Sequence, residues 1–373
     1  MKKPIQEFLK YHIGKGNGMA VSDLCNSSFL GTFNASGFHE KILSMKNGDK
    51  GYGIDNCIRH LDFRNTDEDH KSFFLMGIYA ERIAREKDEK GSFTDPSVHK
   101  QFFDFQAMII NQFFDFIVSV GINIKEVTAT FFDGCSIGQA GGKGSNSKER
   151  DSLLIRPYKL ASDGGGLSAL DERRLDKLFP VRSLSNVDIN PVEGALVGPR
   201  IEVAVRGFEI ATIVFDYYRI ENGRLIAIDY LGGYAIGMER LAAALMPNGH
   251  LYNTGIMAEA RSLLGIYAPK NGKFPSLIDC PLFKGSINQL LSSIETLIHL
   301  SRVDYNVIAN SKNRRDLVNE LKNTVRSTEK DMGFERKNLR AFVEAFTDLI
   351  RGRLPKPFNE VEPKFALDVI GNE

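Results

Sequence analysis

Two hydrophobic patterns divide the chain into a strand-rich part and a helical part. Apolar and polar residues alternate with the period of half-buried strands in six segments: Asn56–Phe63, Ser72–Tyr79, Glu126–Phe132, Ile201–Val205, Phe208–Arg219 and Arg224–Asp229. The apolar run Ser28–Phe33 indicates a further strand. Tight turns at Arg206-Gly207 and Asn222-Gly223 join the last three segments, which predicts consecutive antiparallel strands.

Apolar residues recur at helical spacing in four segments before residue 250: 5–13, His99–Gly121, 168–178 and Gly237–Leu245. A connection rich in Pro, Gly and Lys at 268–275 leads into residues 281–352, whose periodicity is almost purely helical. We therefore predict an α+β fold. An antiparallel sheet flanked by helices occupies residues 1–250, and a helical domain occupies residues 251–373.

Composition and charge exclude several classes of protein. The chain has 48 Lys and Arg against 47 Asp and Glu, so no global field attracts nucleic acid or an anionic membrane. The four cysteines lie far apart without a CxxC pair, which argues against structural zinc and disulfides and indicates a reducing compartment. No stretch approaches the roughly 18 apolar residues of a membrane span. We expect a cytoplasmic protein without a membrane partner.

Three separated segments together supply the groups that hold a nucleotide. Gly233–Leu241 predicts a small-residue turn feeding a helix that carries Arg240. Upstream, Asn56–Arg59 ends a strand with an arginine, and His70–Gly77 brings a histidine and two phenylalanines. Two cations and an aromatic face predict ATP binding. The Gly-rich stretch 134–147 lacks the GxxxxGK[ST] spacing of a phosphate loop, and we interpret it as an active-site or surface loop.

The order of these motifs resembles the catalytic core of alanyl-tRNA synthetase, a class II aminoacyl-tRNA synthetase. Similar segments follow one another as Ser28–Ala35, Cys57–Arg59, Asn65 with Glu68, His70–Gly77, Pro199–Val203, Phe208–Phe215 and Gly237–Leu241. The resemblance covers roughly residues 5–250, apart from 134–195. It implies a six- to seven-stranded antiparallel sheet on which ATP lies bent.

The resemblance also implies roles for residues around the phosphates. Arg59 would hold the α-phosphate, where charge builds up during attack by a carboxylate, and His70 would reach the outgoing phosphates. Glu209 would help to bind Mg²⁺, which prefers oxygen ligands. A surface ion pair for Arg59 and a solvated strand carboxylate for Glu209 are the alternative interpretations.

At the adenine, Arg240 would lie against one face and also take the γ-phosphate, while Phe74 would cover the other face. Gly237 begins the part of the motif that binds ATP. Because neighbouring strand residues face opposite ways, only one of Phe73 and Phe74 stacks and the other is core. The sequence leaves open which one stacks.

The chain departs from the family where the amino acid would bind. Gly233 replaces an Asp that binds the substrate amine, and Ala211-Thr212 replaces a Trp-Asn pair. Because a buried ammonium without a carboxylate is costly, either Asp229 or Asp216 serves instead, or the substrate is not alanine.

We therefore expect a stand-alone paralogue that uses ATP to activate an amino acid or similar carboxylate. The acceptor is tRNA, a carrier protein or a small molecule, and a second copy of the chain in a homodimer is a further expected partner. A basic face on the helical tail favours tRNA: Lys312, Arg314, Arg315, Lys322 and Arg326. A solvated face with Asp316 and Glu320 as partners is the alternative. A catalytically silent relative that binds or regulates is the second hypothesis.

Overall fold

The computed structural model describes residues 2–16, 19–22, 44–58, 71, 73–87, 89, 100–131, 181–182, 196–197, 200–221, 224–247, 249–268, 281–302, 312–356 and 358–371. Three sequence-based expectations lie outside these residues. They are the strand at Ser28–Phe33, the loop at 134–147 and the helix at 168–178.

Among the described residues, nine strands form one sheet. In chain order they are β1 (Met19–Ser22), β2 (Lys50–Ile58), β3 (Phe73–Ile83), β4 (Val127–Phe131), β5 (Val181–Arg182), β6 (Leu196–Val197), β7 (Arg200–Val205), β8 (Phe208–Glu221) and β9 (Arg224–Gly237). The spatial order is β1-β2-β3-β9-β8-β7-β4-β5, and β6 pairs with β8.

Six neighbouring strands, from β2 to β4 along this order, pair antiparallel, while β1 and β5 pair parallel at the two ends. The predicted antiparallel sheet is confirmed, and with it the α+β class. The predicted hairpins β7–β8 and β8–β9 are both present. Arg206, at the first turn, has a positive φ of 53°, and Gly207 follows at 82°, the left-handed conformations that such tight hairpin turns require.

The segment around Gly233 corrects one prediction. Residues 233–237 are the last residues of β9, paired on one side with β3 and on the other with β8. They do not form a small-residue turn. The helix starts directly after Gly237, so the strand leads into it without a connecting loop.

Three helices belong to the sheet layer: α1 (Lys2–Gly14), α2 (Lys100–Ser119) and α3 (Met238–Ala244). Phenylalanines of α1 and α2 pack against tyrosines of the sheet, which defines a helix-covered face. His12 of α1 is stacked on Tyr52 and Tyr79 with ring centroids 5.4 Å and 4.9 Å away, and its Nε2 lies 2.9 Å from the Tyr234 hydroxyl. Burial lowers the pKa of His12 to about 3, so the ring is neutral.

The C-terminal part is helical: α4 (Gly255–Tyr267), α5 (Pro281–Leu300), α6 (Lys312–Met332), α7 (Arg336–Arg353) and α8 (Lys364–Ile370). Residues 287–300 of α5 are almost all buried on every side, as expected for the central helix of such a unit. Arginines of α6 and α7 donate to backbone carbonyls of residues 361–371 and so fix the final segment. Within the described part of the chain, no helix is long and apolar enough to cross a membrane.

Candidate functional site

Three of the predicted nucleotide-binding side chains meet in one cluster. Arg240 is only 5% exposed, and its guanidinium carbon lies 4.9 Å from the centroid of the Phe74 ring. Its Nη1 lies 3.1 Å from Oε1 of Glu209. A cation, an aromatic face and a carboxylate therefore come together from α3, β3 and β8. We call these three residues the Arg240 cluster.

The local backbone explains why these groups meet. Gly237, the last residue of β9, lies beneath the Arg240 side chain, and a Cβ at this position would lie 3.3–3.4 Å from the Arg240 methylene carbons. Only glycine lets the arginine fold back over the strand without displacing it. Met76 of β3 is the cross-strand partner of Gly237, which places Phe74 two residues further along the same face.

The other predicted phosphate ligands, Arg59 and His70, lie outside the described residues. Their neighbours in sequence lie at the same end of the sheet as the Arg240 cluster. Ile58 pairs with Phe73, and the Lys71 ammonium lies 5.5 Å from the centroid of the Phe74 ring.

The two phenylalanines of β3 have different neighbours. Phe73 is stacked on His299 of α5, with ring centroids 3.8 Å apart and planes 6° from parallel. Phe74 instead presents its ring to Arg240. The residue predicted to cover adenine is therefore the one beside the predicted phosphate-binding arginine, and Phe73 joins the sheet to the helical unit.

Arg240 and Phe74 are in direct contact in this arrangement. A flat base stacked between two groups needs them roughly 7 Å apart, twice the ~3.5 Å of van der Waals contact. The guanidinium would have to move away from the ring, and so from Glu209, before a base could enter. The cation and the aromatic ring of the Arg240 cluster suit a nucleotide, provided that the Arg240 side chain moves away from Phe74 and Glu209.

Glu209, the predicted metal-binding residue, has a partly exposed carboxylate. Its side chain is 38% exposed while that of Arg240 is 6% exposed, so the carboxylate is the open member of the pair. Among the described residues, no group of three or more His, Cys, Asp or Glu side chains is placed to hold a metal ion by itself. A Mg²⁺ bound through phosphates and one carboxylate needs no such group.

The face of the sheet opposite the helices has a floor of mostly small residues, which we call the small-residue floor. Cross-strand pairing places Gly53, Ile78, Ala235 and Thr212 in one row, and Gly51, Ala80, Gly233 and Val214 in the next. Met45 packs on Ile78 and Ala80 at one end of this floor. Glu202, the cross-strand partner of Thr212, lies at the other end. A ligand lying on the sheet would meet Ile78 and Val214 as well as backbone and Thr212.

Gly233 is held in place by its neighbour strand. A Cβ built on Gly233 would collide with the Tyr79 carbonyl oxygen and lie 2.9 Å from Cα of Ala80. Any side chain at position 233 therefore requires β3 and β9 to move apart.

The remaining predicted substrate residues occupy different places. Thr212 lies on the floor opposite Ala235, whereas Ala211 faces the helices and is part of the buried core. Asp229 pairs with Arg82 at 3.1 Å and accepts from the Arg85 backbone N–H at 3.2 Å. It lies four residues from Gly233, roughly 13 Å along the strand. Ala211 and Asp229 are thus not brought beside Gly233.

Asp216 is the better placed alternative carboxylate. It is buried, and its cross-strand partner is Leu231, two residues from Gly233 on the same face. Of the two acids considered from the sequence, Asp216 therefore lies nearer the position where the family's aspartate stands.

Three charged residues next to the site received no role from the sequence. Lys71 and Glu295 are buried beside Phe74 and Arg240, together with the half-buried Glu239. The signal for Glu295 is present, because it is the only charged residue between Lys284 and Arg302 in an otherwise uncharged helix. A lone charge in a buried helix must have a partner. The partner lies 224 residues away in sequence, so its identity requires the structure.

The sequence matches no protein-family model and no curated protein. One similar solved structure is an ATP phosphoribosyltransferase regulatory subunit/histidyl-tRNA synthetase from Bacillus halodurans C. It has 8% identity over 66% of this chain and 79% of that chain, with a TM-score of 0.36. Another is a candidate aspartyl-tRNA synthetase from Leishmania major Friedlin, with 12% identity over 69% of this chain and 63% of that chain and a TM-score of 0.32. Neither is an alanyl-tRNA synthetase, and at these values neither bears on activity.

Proposed function

We propose that this protein binds ATP at the Arg240 cluster and activates an amino acid or similar carboxylate as an adenylate, which it then transfers to an acceptor. The observation that carries the proposal is the convergence of Arg240, Phe74 and Glu209 at the end of a floor of small residues. Bound ATP and Mg²⁺ would supply the electrophilic α-phosphorus and neutralise the leaving pyrophosphate.

Within this function, the chain acts by positioning and charge. On ATP binding, Arg240 would turn from Glu209 to the γ-phosphate, and the Phe74 ring would cover the base. The freed Glu209 carboxylate would help to hold Mg²⁺, which would neutralise charge on the phosphates. Arg59 stabilises the charge that builds up on the α-phosphate, a role that suits a planar guanidinium better than an ammonium.

The substrate carboxylate lies on the small-residue floor. Because position 233 holds no side chain, the substrate amine pairs elsewhere, and of Asp216 and Asp229 the nearer acid is Asp216. The substrate is thus an amino acid or an analogue whose amine, if it has one, sits differently from that of alanine in the family.

The acceptor is a nucleic acid with exposed phosphates, with tRNA as the leading candidate. Exposed or half-buried cations on α6 recur along one stripe, Lys312, Arg315, Lys322, Arg326 and Lys330. At about 100° per residue they fall within an arc of roughly 80°. Asp316 and Glu320 lie outside this arc, which favours the basic face over the solvated one. A carrier protein or a small molecule remains the competing acceptor.

A catalytically silent relative that acts as a binding or regulatory module is the second candidate. The observation that favours it is the state of Arg240, which is already paired with Glu209 and rests on Phe74. If this pair does not open, the site holds no triphosphate.

ATP–pyrophosphate exchange, screened over all amino acids and close analogues, tests the proposal. We expect exchange with one substrate class and a loss of at least about 100-fold in Arg59→Ala and Arg240→Ala, the usual cost of removing a group that stabilises the transition state. Arg240→Lys should restore little, because a lysine lacks the planar fork.

The matched control is Arg353→Ala, which removes an arginine that pairs with Glu259 on the surface of the helical unit. This variant should retain exchange. Exchange retained by both site variants would contradict the proposal. Absence of both ATP binding and exchange would favour the silent relative.

A further inference from the structure

A buried triad of charges lies between the sheet and helix α5. The Lys71 ammonium lies 3.0 Å and 2.8 Å from the two carboxylate oxygens of Glu295, and 3.6 Å from Oε1 of Glu239. The side chains of Lys71 and Glu295 are 1% and 3% exposed. One cation thus faces two carboxylates, one from α5 and one from α3.

The charges of the triad stay buried because each is paired. Burial raises the pKa of Glu295 to about 7 and also raises that of Glu239, although Lys71 opposes both shifts. Burial lowers the pKa of Lys71, but the two carboxylates outweigh it and the pKa is raised overall. Removing one partner would leave an uncompensated buried charge, which is far costlier than the pair itself.

The triad touches the Arg240 cluster at two points. Glu239 directly precedes Arg240, and its two carboxylate oxygens accept the Leu75 backbone N–H at 3.2 Å and 3.1 Å. Leu75 directly follows Phe74, and the Lys71 ammonium lies 5.5 Å from the Phe74 ring. The carboxylate of Glu239 therefore ties the start of α3 to the strand that carries Phe74.

A second contact runs from α5 to the same strand. His299 lies one turn after Glu295 and is stacked on Phe73, while Lys71 lies 5.8 Å from the Phe73 ring. Both ring nitrogens of His299 have no hydrogen-bond partner in the part of the chain that the structure describes. His299 therefore contacts the strand through the face of its ring. Helix α5 thus contacts both Phe73, through His299, and Lys71, through Glu295.

We propose that Lys71, Glu239 and Glu295 form a positioning triad through which α5 of the helical unit sets the geometry of Arg240 and Phe74. Glu295 holds the ammonium from the helical side, Lys71 holds Glu239, and Glu239 fixes the start of α3 to the amide next to Phe74. A displacement of α5 is transmitted to the Arg240 cluster by this chain of contacts, and a rearrangement of the cluster is transmitted back to α5.

Amide hydrogen exchange of the nucleotide-free chain tests this coupling directly. In Glu295→Gln we expect exchange to become at least about 10-fold faster in peptides covering 73–83 and 238–244, as well as in α5. Glu259→Gln is the matched control, since Glu259 pairs with Arg353 on the surface of the helical unit. This control variant should leave the exchange rates of both peptides unchanged. Faster exchange confined to 281–300, or none, would overturn the triad.

A second variant keeps the test decisive if Glu295→Gln does not fold. Glu295→Asp retains the charge but withdraws the carboxylate by one methylene, so it should accelerate exchange in the same two peptides by a smaller factor. Equal exchange of 73–83 and 238–244 in wild type and Glu295→Asp would also overturn the proposal.

Binding of ATP to the full chain supplies a readout that stability alone does not move. This part rests on the proposed function. We expect Glu295→Gln to bind ATP about 5- to 10-fold more weakly, while Glu259→Gln matches the wild type. ATP affinity equal in all three proteins would contradict the positioning role. A wild type without ATP affinity would contradict the proposed function, while the exchange experiment would still decide the triad.

Discussion

At the scale of single residues, Gly233 links the backbone to the choice of substrate. The sequence identifies this position because an aspartate of the resembling family is replaced by glycine. The structure adds that β3 approaches so closely that a Cβ would collide with the Tyr79 carbonyl oxygen. The missing carboxylate therefore cannot be restored by one substitution, because Asp at 233 would have to separate two central strands.

We predict that Gly233→Ala destabilises the protein by about 3 kcal/mol, the upper part of the range for overpacking a core. Gly352→Ala is the control. Gly352 lies in α7 with nothing within 4 Å of a built Cβ, so this change should be neutral or stabilise by up to about 1 kcal/mol. Denaturant unfolding measures both. An unchanged midpoint for Gly233→Ala would show that the strands separate easily.

The residues of the site differ in how far the sequence reveals them. Arg240, Phe74 and Glu209 belong to motifs, and their convergence follows from the order of those motifs. Ala211 was predicted to contact the substrate together with Thr212, although neighbouring strand residues face opposite sides of a sheet. Ala211 shares its face with Ile213 and Phe215 and belongs to the buried core, so only Thr212 lies on the opposite face.

At the scale of elements, the strands and helices were predicted well where their period is long and regular. The helix predicted at His99–Gly121 is α2, and the periodic tail after 281 contains α5, α6 and α7. The segment 233–237 was predicted wrongly as a turn, because its glycines and small residues mimic one. These residues are small since neighbouring groups crowd them: Tyr79 at Gly233 and the Arg240 side chain at Gly237.

Helix α6 carries a prediction of its own. If its basic stripe binds RNA phosphates, Lys322→Ala and Arg326→Ala should each weaken tRNA binding and lower the slope of log K against log salt by about 0.9, the value for one duplex phosphate contact. Filter binding at several salt concentrations measures the slope.

Lys356→Ala is the control for this experiment, because Lys356 is 82% exposed and pairs with Glu360 away from α6. It should leave the slope unchanged. If all three variants show the wild-type slope, α6 is a solvated face and the acceptor is a carrier protein or small molecule.

At the scale of the whole molecule, polar contacts bring together residues that are far apart in the sequence. Lys71 and Glu295 are 224 residues apart, and Tyr234 and His12 are 222 apart. Alternation and helical spacing report which face of an element is apolar. They do not report which buried lysine meets which buried glutamate. The polar contacts between α5 and the sheet therefore required the structure.

Two buried histidines make the stability of the fold depend on pH. Burial lowers the pKa of His299 to about 3, with Lys71 as a second cause, and burial does the same for His12. The ordinary value is 6.5, so between pH 6.5 and 3 the unfolded chain binds protons that the folded chain does not. Above pH 6.5 the full stability of the folded chain is present. As the pH decreases below 6.5, each histidine lowers the stability by about 1.4 kcal/mol per pH unit.

Glu295 has the opposite effect on the pH dependence of stability. Its folded pKa of about 7 lies above the ordinary 4.5, so between these values the folded chain binds the additional proton. Its contribution is present below pH 4.5 and is lost as the pH rises to 7. Acid therefore weakens the histidine sites while it relieves the excess negative charge of the triad, and the two effects partly cancel between pH 4.5 and 6.5.

Replacing His299 isolates one of these contributions. In His299→Phe a ring of similar size can stack on Phe73 without titrating, and no ring nitrogen is left buried. We expect the variant to be at least as stable as the wild type at pH 7. Its advantage should then grow by about 1.4 kcal/mol per pH unit as the pH falls from 6.5 towards 3, since only the wild type must keep this imidazole neutral. Urea unfolding at half-unit pH intervals gives the difference. Parallel curves for the two proteins would mean that His299 is protonated in the folded state, and that α5 does not bury it against the sheet at low pH.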